Sequence, residues 1–383
     1  MLLTDEQREQ LTEAVDAAEH DARFPTEALD LARASGLLSA EVSDATRSHV
    51  RDLRPMVQSI YEAGRVCASL GTIVSMHLQQ VHAIAVHGTP RLKSDLAESL
   101  AAGKNYVGSI TTERASGGDL RSSDSTIERR ADTLVIDRDA PIVTGGELCD
   151  SFLVKVAEPG GGTSLVYVPR EDAEVDIGKS SWDPMGMRES ASVSLRLRAT
   201  VPDWHVLGAP GQFDRIVSDN FGVFAHIGWA AAWLGTATEC GNRLTQCIKE
   251  KPALRRKLAD SDVMLARLSS ARSSLDTVRF ALDTVTNDYA DGATGTAQFA
   301  IHTNELKVLA SVKCFDAVDT MIEIGGLSLG YMRNPRTRLE RAFRDLRSAS
   351  LNFSNDKLAV ANGKLIMRAG FGKPPSTARA VTR

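Results

Sequence analysis

The chain has few cysteines, and none are paired by spacing. Its five, Cys67, Cys149, Cys240, Cys247 and Cys314, are odd in number and contain no C-x-x-C, which argues against a disulfide framework and for a reduced, cytoplasmic protein. Cys240 and Cys247 stand two helical turns apart, but buried lone cysteines are far commoner than ligands, so no metal is assigned. An excess of positive charge is absent as well: 45 Lys+Arg against 49 Asp+Glu give a net charge of -4, without the basic face that nucleic-acid binding uses. No long apolar run is present. The richest, residues 221–237, is shorter than the ~20 residues of a membrane span and contains His226, so it predicts a helix buried in a bundle. Met1-Leu2-Leu3 passes at once into Thr4-Asp5-Glu6-Gln7, without the basic and apolar regions of a secretory signal.

What is present is an ordinary globular composition, 43% hydrophobic and 25% charged over 383 residues, enough for two or three packed regions. Thr4 and Gln7 form a capping-box start, followed by Leu11, Val15 and Ala18 at helical spacing. Phe24-Pro25-Thr26 opens a second helix that Gly36 ends, and helical patterns follow over about 45–70, 72–87 and 90–102. Short β-branched runs then take over at 133–136, 152–156, 164–168 and 193–197, separated by Gly145-Gly146 and Gly160-Gly161-Gly162. Helical periodicity returns over about 213–247, 253–289, 296–324 and 338–362, the pattern of an antiparallel bundle. The expected fold is α+β: an N-terminal helical domain (1–105), a central β-barrel or sandwich (106–208), a C-terminal four-helix bundle (209–371) and a disordered tail (372–383).

Four segments carry more than periodicity. The first is Ile110-Thr111-Thr112-Glu113-Arg114-Ala115-Ser116-Gly117-Gly118-Asp119, where small residues let backbone N–H groups approach phosphate oxygens. The others are Pro141-Ile142-Val143-Thr144-Gly145-Gly146, Ile324-Gly325-Gly326 through Gly330-Tyr331, and Arg344-Asp345-Leu346-Arg347-Ser348-Ala349-Ser350-Leu351-Asn352-Phe353. In this order they resemble the acyl-CoA dehydrogenases, whose corresponding patterns are Val-Thr-Glu-Pro-x-Ala-Gly-Ser-Asp, Lys-x-Trp-Ile-Thr-Asn-Gly, Gly-Gly-x-Gly-Tyr and an Arg-Asp run ending at the catalytic glutamate. A weaker match, Asp183 to Arg188, is similar to the family's Gly-x-Arg run.

The resemblance implies an FAD site. Thr112 matches the threonine at the flavin pyrimidine edge and Gly118 the phosphate-side serine, with Ile110, Thr111 and Gly117 around them. Thr144 falls near the central ring, and Ile142 replaces the flanking tryptophan. Gly325 and Gly326 match glycines that admit the adenine half from a neighbouring subunit, and Asn355 replaces a threonine beside the adenine phosphates. A homodimer or homotetramer is implied accordingly.

Phe353 stands where most members carry the glutamate that removes the α-proton of an acyl thioester, and a benzyl group removes no proton. Counting back from Gly235, at that helix's small-residue crossing, the family's alternative carboxylate position falls on Ala225. Histidines remain as bases: His77, in the helix that borders the acyl cavity, and His226, beside the alternative position. The leading expectation is therefore an FAD-dependent oxidoreductase acting on an acyl-CoA or acyl-carrier-protein thioester by altered chemistry, in specialised metabolism. A reduced-flavin monooxygenase with a reductase partner and a non-catalytic subunit are the alternatives.

Overall fold

The computed structural model describes residues 3–19, 23, 26–40, 51–114, 119–178 and 182–372. The disordered-tail expectation, from residue 373 on, lies outside them, as do Gly117 and Gly118. Helix α1 (Asp5–Glu19) opens on the expected box: Thr4 N–H donates to Gln7 Oε1 at 3.0 Å and Gln7 N–H to Thr4 Oγ1 at 3.1 Å. Helix α2 (Thr26–Ala34) stops before Gly36, whose φ of 76° lies in the left-handed region.

Two longer helices follow, α3 (Arg54–Val66) and α4 (Ala68–His87), then α5 (Pro90–Ala101). The break falls at Cys67 rather than at residue 71: its backbone is extended and its Sγ accepts from Leu70 N–H, so a thiol takes the capping role that hydroxyls usually fill. Helix α4 is buried almost all round.

The middle of the chain forms two sheets. One has the order β1-β4-β5, from β1 (Val107–Ile110), β4 (Ser151–Ala157) and β5 (Thr163–Pro169). The other has the order β2-β3-β7-β6, from β2 (Glu128–Arg130), β3 (Thr133–Val143), β6 (Ala173–Ile177) and β7 (Val193–Pro202). Strand β4 is buried on both faces, whereas β3 alternates. Strands β2 and β6, short or polar edge strands, were not separately expected, and β1 ends at Ile110, where the Thr-rich motif begins. Pairing of β3 with β7 shifts between Ala140 and Val143. That bulge at Pro141 leaves Ile142 46% exposed, turned out of the core.

The C-terminal region begins with α6 (Phe213–Ile216) and a π-turn (Val217–Phe221) and continues as α7 (Gly222–Glu250), α8 (Pro252–Ala259), α9 (Asp262–Ala290), α10 (Ala297–Gly326), α11 (Leu339–Leu346) and α12 (Asn355–Ala369). Two expected helices are thus divided. Ser261 caps α9 through Met264 N–H, which splits 253–289. The stretch 338–362 is interrupted by a turn at 347–354, where Ser348 Oγ donates to Asp345 O at 2.6 Å and Phe353 takes a φ of 48°. The left-handed residue breaks the helical run, and the serine hydroxyl takes up a carbonyl at its end.

Helices α3 and α7 cross on glycines, as expected for Gly235. A Cβ at Gly235 would stand 2.3 Å from Tyr61 O and one at Gly64 2.3 Å from Ala232 O, while Thr236 Oγ1 donates to Gly64 O at 2.8 Å. Replacing Gly235 with alanine should therefore lower stability by about 2 kcal/mol, because backbone overlap outweighs the gain in helix propensity. Thermal melting checks this; an unchanged or higher midpoint would show that the crossing tolerates a methyl group.

Candidate functional site

A cavity of about 780 Å³ lies between the sheets and the helices. Its helical walls follow from spacing. Thr72, Met76 and Gln79 share one face of α4, Gly222, Ala225, His226 and Trp229 one face of α7, and Ala300, Thr303 and Asn304 one face of α10. Gln79 Nε2 donates to Phe221 O at 2.7 Å, tying α4 to the π-turn whose Val217, Ser218 and Phe221 also line the space. Such turns free backbone carbonyls that side chains can then use.

The sheet side is a row of hydroxyls. Thr112 Oγ1 donates to Ile142 O at 2.9 Å, Ser109 and Thr111 approach at 3.4 Å, Thr144 and Ser192 at 3.3 Å, and Ser190 and Ser192 at 3.0 Å. Thr112 retains lone pairs to accept from a ligand. The helical side carries the aromatic and apolar groups Met76, Phe221, Trp229 and, on the adjoining turn, Phe353, among polar Thr72, Gln79, Thr303 and Asn304. A row of hydroxyls facing aromatic side chains fits a flat heteroaromatic ring with hydrogen-bonding groups along one edge.

Of the residues proposed from sequence, Thr111, Thr112, Ile142, Thr144, His226 and Phe353 come together around this cavity. Ile110 is in β1, fully buried behind it. Asn355 lies behind the Phe353 turn, where its Oδ1 accepts from Lys307 and its Nδ2 donates to Ser311 Oγ at 3.0 Å. Gly325 and Gly326 end α10 outside the cavity, beside a second π-turn, Leu327–Tyr331.

His77 does not join the site. Its ring is fully buried; Nδ1 accepts from Val107 N–H at 3.0 Å, and Nε2 lies 2.9 Å from Leu38 O. These two bonds fix the neutral tautomer protonated at Nε2. Met76 is on the cavity face, and the next residue on a helix points about 100° away, so His77 braces α4 against β1 and is withdrawn as a base.

His226 is placed differently. It lines the cavity at 7% exposure, its Nδ1 has no hydrogen-bond partner, and its ring lies 5.9 Å from that of Phe353 and 6.1 Å from that of Trp229. Burial, then the nearby Lys307 charge, lower its pKa to about 3 against the opposing pull of the Thr303 backbone. It is a neutral imidazole at ordinary pH.

Among the described residues lining the cavity there is no aspartate or glutamate; Arg121 is the one charged side chain. Both expected carboxylate positions, Phe353 and Ala225, do reach the cavity. Glu113, next to Thr112, is turned into the β-region, 2.8 Å from Arg138 and 3.5 Å from Lys155, with all three side chains buried.

Sequence reasoning overlooked Lys307. Its signal was a lysine at 307 in register with Thr303, Ala310, Ser311 and Cys314 on the buried face of α10.

Comparison with known proteins agrees with this architecture. Residues 4–104 match the family model "Acyl-CoA dehydrogenase, N-terminal domain" and residues 223–352 "Acyl-CoA dehydrogenase, C-terminal domain". An acyl-CoA dehydrogenase of Bacillus subtilis is 23% identical over 73% of this chain and 74% of its own length. Cyclohex-1-ene-1-carbonyl-CoA dehydrogenase of Geobacter metallireducens is 27% identical over 49% of this chain and 51% of its own, and this chain spans about half the length of several other curated relatives. Among solved structures, butyryl-CoA dehydrogenase from Megasphaera elsdenii superposes with a TM-score of 0.79 at 18% identity, over 96% of this chain and 100% of that one. An FMN-bound dibenzothiophene monooxygenase from Paenibacillus sp. A11-2 gives 0.82 at 18% identity over 97% of both.

Proposed function

This chain belongs to the acyl-CoA dehydrogenase family, and from that premise we propose that it is an FAD-dependent monooxygenase of a neutral, apolar substrate, not a thioester dehydrogenase. The observation that carries the proposal is the absence of any carboxylate from the described cavity lining. Dehydrogenation of an acyl thioester leaves the α-proton on a base. His226 is the histidine available, and protonating it would add a second positive charge beside Lys307 in a buried site, which its depressed pKa opposes.

The hydroxyl row of Ser109, Thr111, Thr112, Thr144 and Ser192 would meet the polar edge of the flavin, and the aromatic helical wall its apolar face. Bound reduced flavin supplies the two electrons with which dioxygen is divided, one oxygen atom entering the substrate and the other leaving as water. His226, neutral, accepts a hydrogen bond from a donor on the substrate and orients it. Gly325 and Gly326 lie beside Leu327, Tyr331 and Met332, exposed by 74%, 72% and 62%, a surface suited to the neighbouring subunit of a homo-oligomer.

The second reading, thioester oxidation with His226 as base, has its support in the unpartnered Nδ1. One experiment separates the two. Purified protein is given reduced FAD and labelled dioxygen with a panel of neutral aromatic compounds, and in parallel oxidised FAD with acyl-CoA and acyl-carrier-protein thioesters without oxygen. Label in an aromatic product, with no thioester bleaching of the flavin, is expected. Anaerobic bleaching by a thioester would overturn the monooxygenase reading.

A further inference from the structure

Behind the Phe353 turn lies a buried ammonium with no carboxylate paired to it among the described residues. Lys307 is fully buried on α10, one turn beyond the cavity-lining Thr303 and Asn304. Its Nζ donates to Phe353 O at 3.1 Å and to Asn355 Oδ1 at 2.8 Å and stands 5.8 Å from the Trp233 ring centroid. Burial alone lowers its pKa to about 8. Enclosing an ammonium without a counter-ion is costly, so its neighbours must use the charge.

Two neighbours do so. Phe353 holds a φ of 48°, a strained conformation for a bulky side chain, kept only when something outside the residue fixes it. Its carbonyl is fixed by Lys307. On α7, His226 is the titratable side chain that feels the Lys307 charge. The other groups around the ammonium, Trp233 on α7, Ser311 on α10 and Asn355 on α12, are uncharged.

We propose that Lys307 is a positioning residue of this site: through the Phe353 carbonyl and the Asn355 carboxamide it holds the turn that sets the Phe353 ring against His226. Its effect on turnover rests on the reading of the site given above; the positioning itself stands on the chain alone.

The test uses the full-length, flavin-free protein, so that it does not depend on which reaction the holoenzyme performs. Tryptophan fluorescence of the wild type should titrate with a midpoint near pH 8, because the ammonium beside Trp233 loses its proton there. Lys307→Met should abolish that titration. Lys307→Arg should abolish it too, since guanidinium stays charged. The two variants then part in the holoenzyme: turnover of an oxygenated substrate should fall about 10- to 100-fold in Lys307→Met and stay within about 10-fold in Lys307→Arg. A titration that persists in Lys307→Met overturns the assignment of the ammonium, and equal turnover in wild type and Lys307→Met overturns the positioning role. If Lys307→Met does not fold, Asn355→Val supplies the first readout: loss of an acceptor for the charged form should move the midpoint below that of the wild type, and an unmoved midpoint counts against the proposal.

Discussion

Arg341→Met is expected to destabilise the protein by about 3–5 kcal/mol, the usual loss when one member of a buried ion cluster is removed and its partners stay behind. Arg341 lies on α11, 4% exposed, with Nη1 at 2.5 Å from Asp16, Nη2 at 2.9 Å from Glu189 and Nε at 3.9 Å from Asp345. Arg338 shares Asp16. Without the guanidinium, Glu189 and Asp345 face each other in a space closed to water. Burial, and after it the Glu189 charge, already push the Asp345 carboxyl upward, with Arg341 the main opposing influence.

The sign of the pH effect follows. An aspartate whose folded pKa is raised binds its proton in the folded state at pH values where the unfolded chain has released it. Stability is therefore favoured at low pH and falls as pH rises from the ordinary aspartate value through the raised one. Removing Arg341 raises the folded value further, so in the variant the fall should extend to higher pH. Thermal unfolding of both proteins across mildly acidic to neutral pH measures it. A variant that melts like the wild type, or whose deficit is the same at every pH, would show that the cluster is not held as described. The damage should also reach the cavity, because Asp345 Oδ1 accepts from Met187 N–H at 2.6 Å. Met187, with a φ of 59°, and Ala191, with 41°, bracket the segment that carries Ser190.

Much of this arrangement was legible in the residue string, for reasons that differ from segment to segment. The helix start at Thr4/Gln7 is a local rule that the structure obeys, whereas the Gly235 crossing was placed by the family resemblance. The motif around Thr112 and the one around Thr144 lie 32 positions apart in the numbering, yet each could be placed at one site because a family order links them. Periodicity failed where a helix is buried on every side: α4 offers no polar face, so nothing in its pattern told His77 from Met76, though they point about 100° apart. It failed again at 338–362, where helix-forming residues continue through a turn held by a serine hydroxyl and a left-handed phenylalanine. The pairing of Lys307 with Phe353 spans α10 and the turn before α12 and depends on backbone carbonyl geometry, which side-chain patterns do not encode.

Phe353→Glu should have the largest effect on chemistry. A glutamate at this position would bring a carboxylate to within reach of His226, whose ring now lies 5.9 Å from that of Phe353. An opposite charge at that range favours the imidazolium, so the pKa of about 3 should rise towards the ordinary histidine range. His226 would then donate where it formerly accepted, and a negative charge would enter a cavity suited to neutral substrates. Oxygenation turnover should fall by about 10²- to 10⁴-fold, the span associated with losing a correctly protonated group. The same substitution supplies the base that thioester dehydrogenation needs, so anaerobic bleaching of bound flavin by an acyl thioester should appear, where the monooxygenase proposal expects none from the wild type. Phe353→Gln serves as the uncharged comparison: it removes the aromatic packing without adding a base, so it should lose part of the turnover and gain no bleaching. Because glutamate and glutamine meet the same left-handed backbone, any difference between the two variants reports on charge and not on strain. If the glutamate variant oxygenates its substrate within a few-fold of the wild type, the acid-free lining is not what selects the reaction, and the choice between oxygenase and dehydrogenase must lie in the flavin's surroundings on the sheet side.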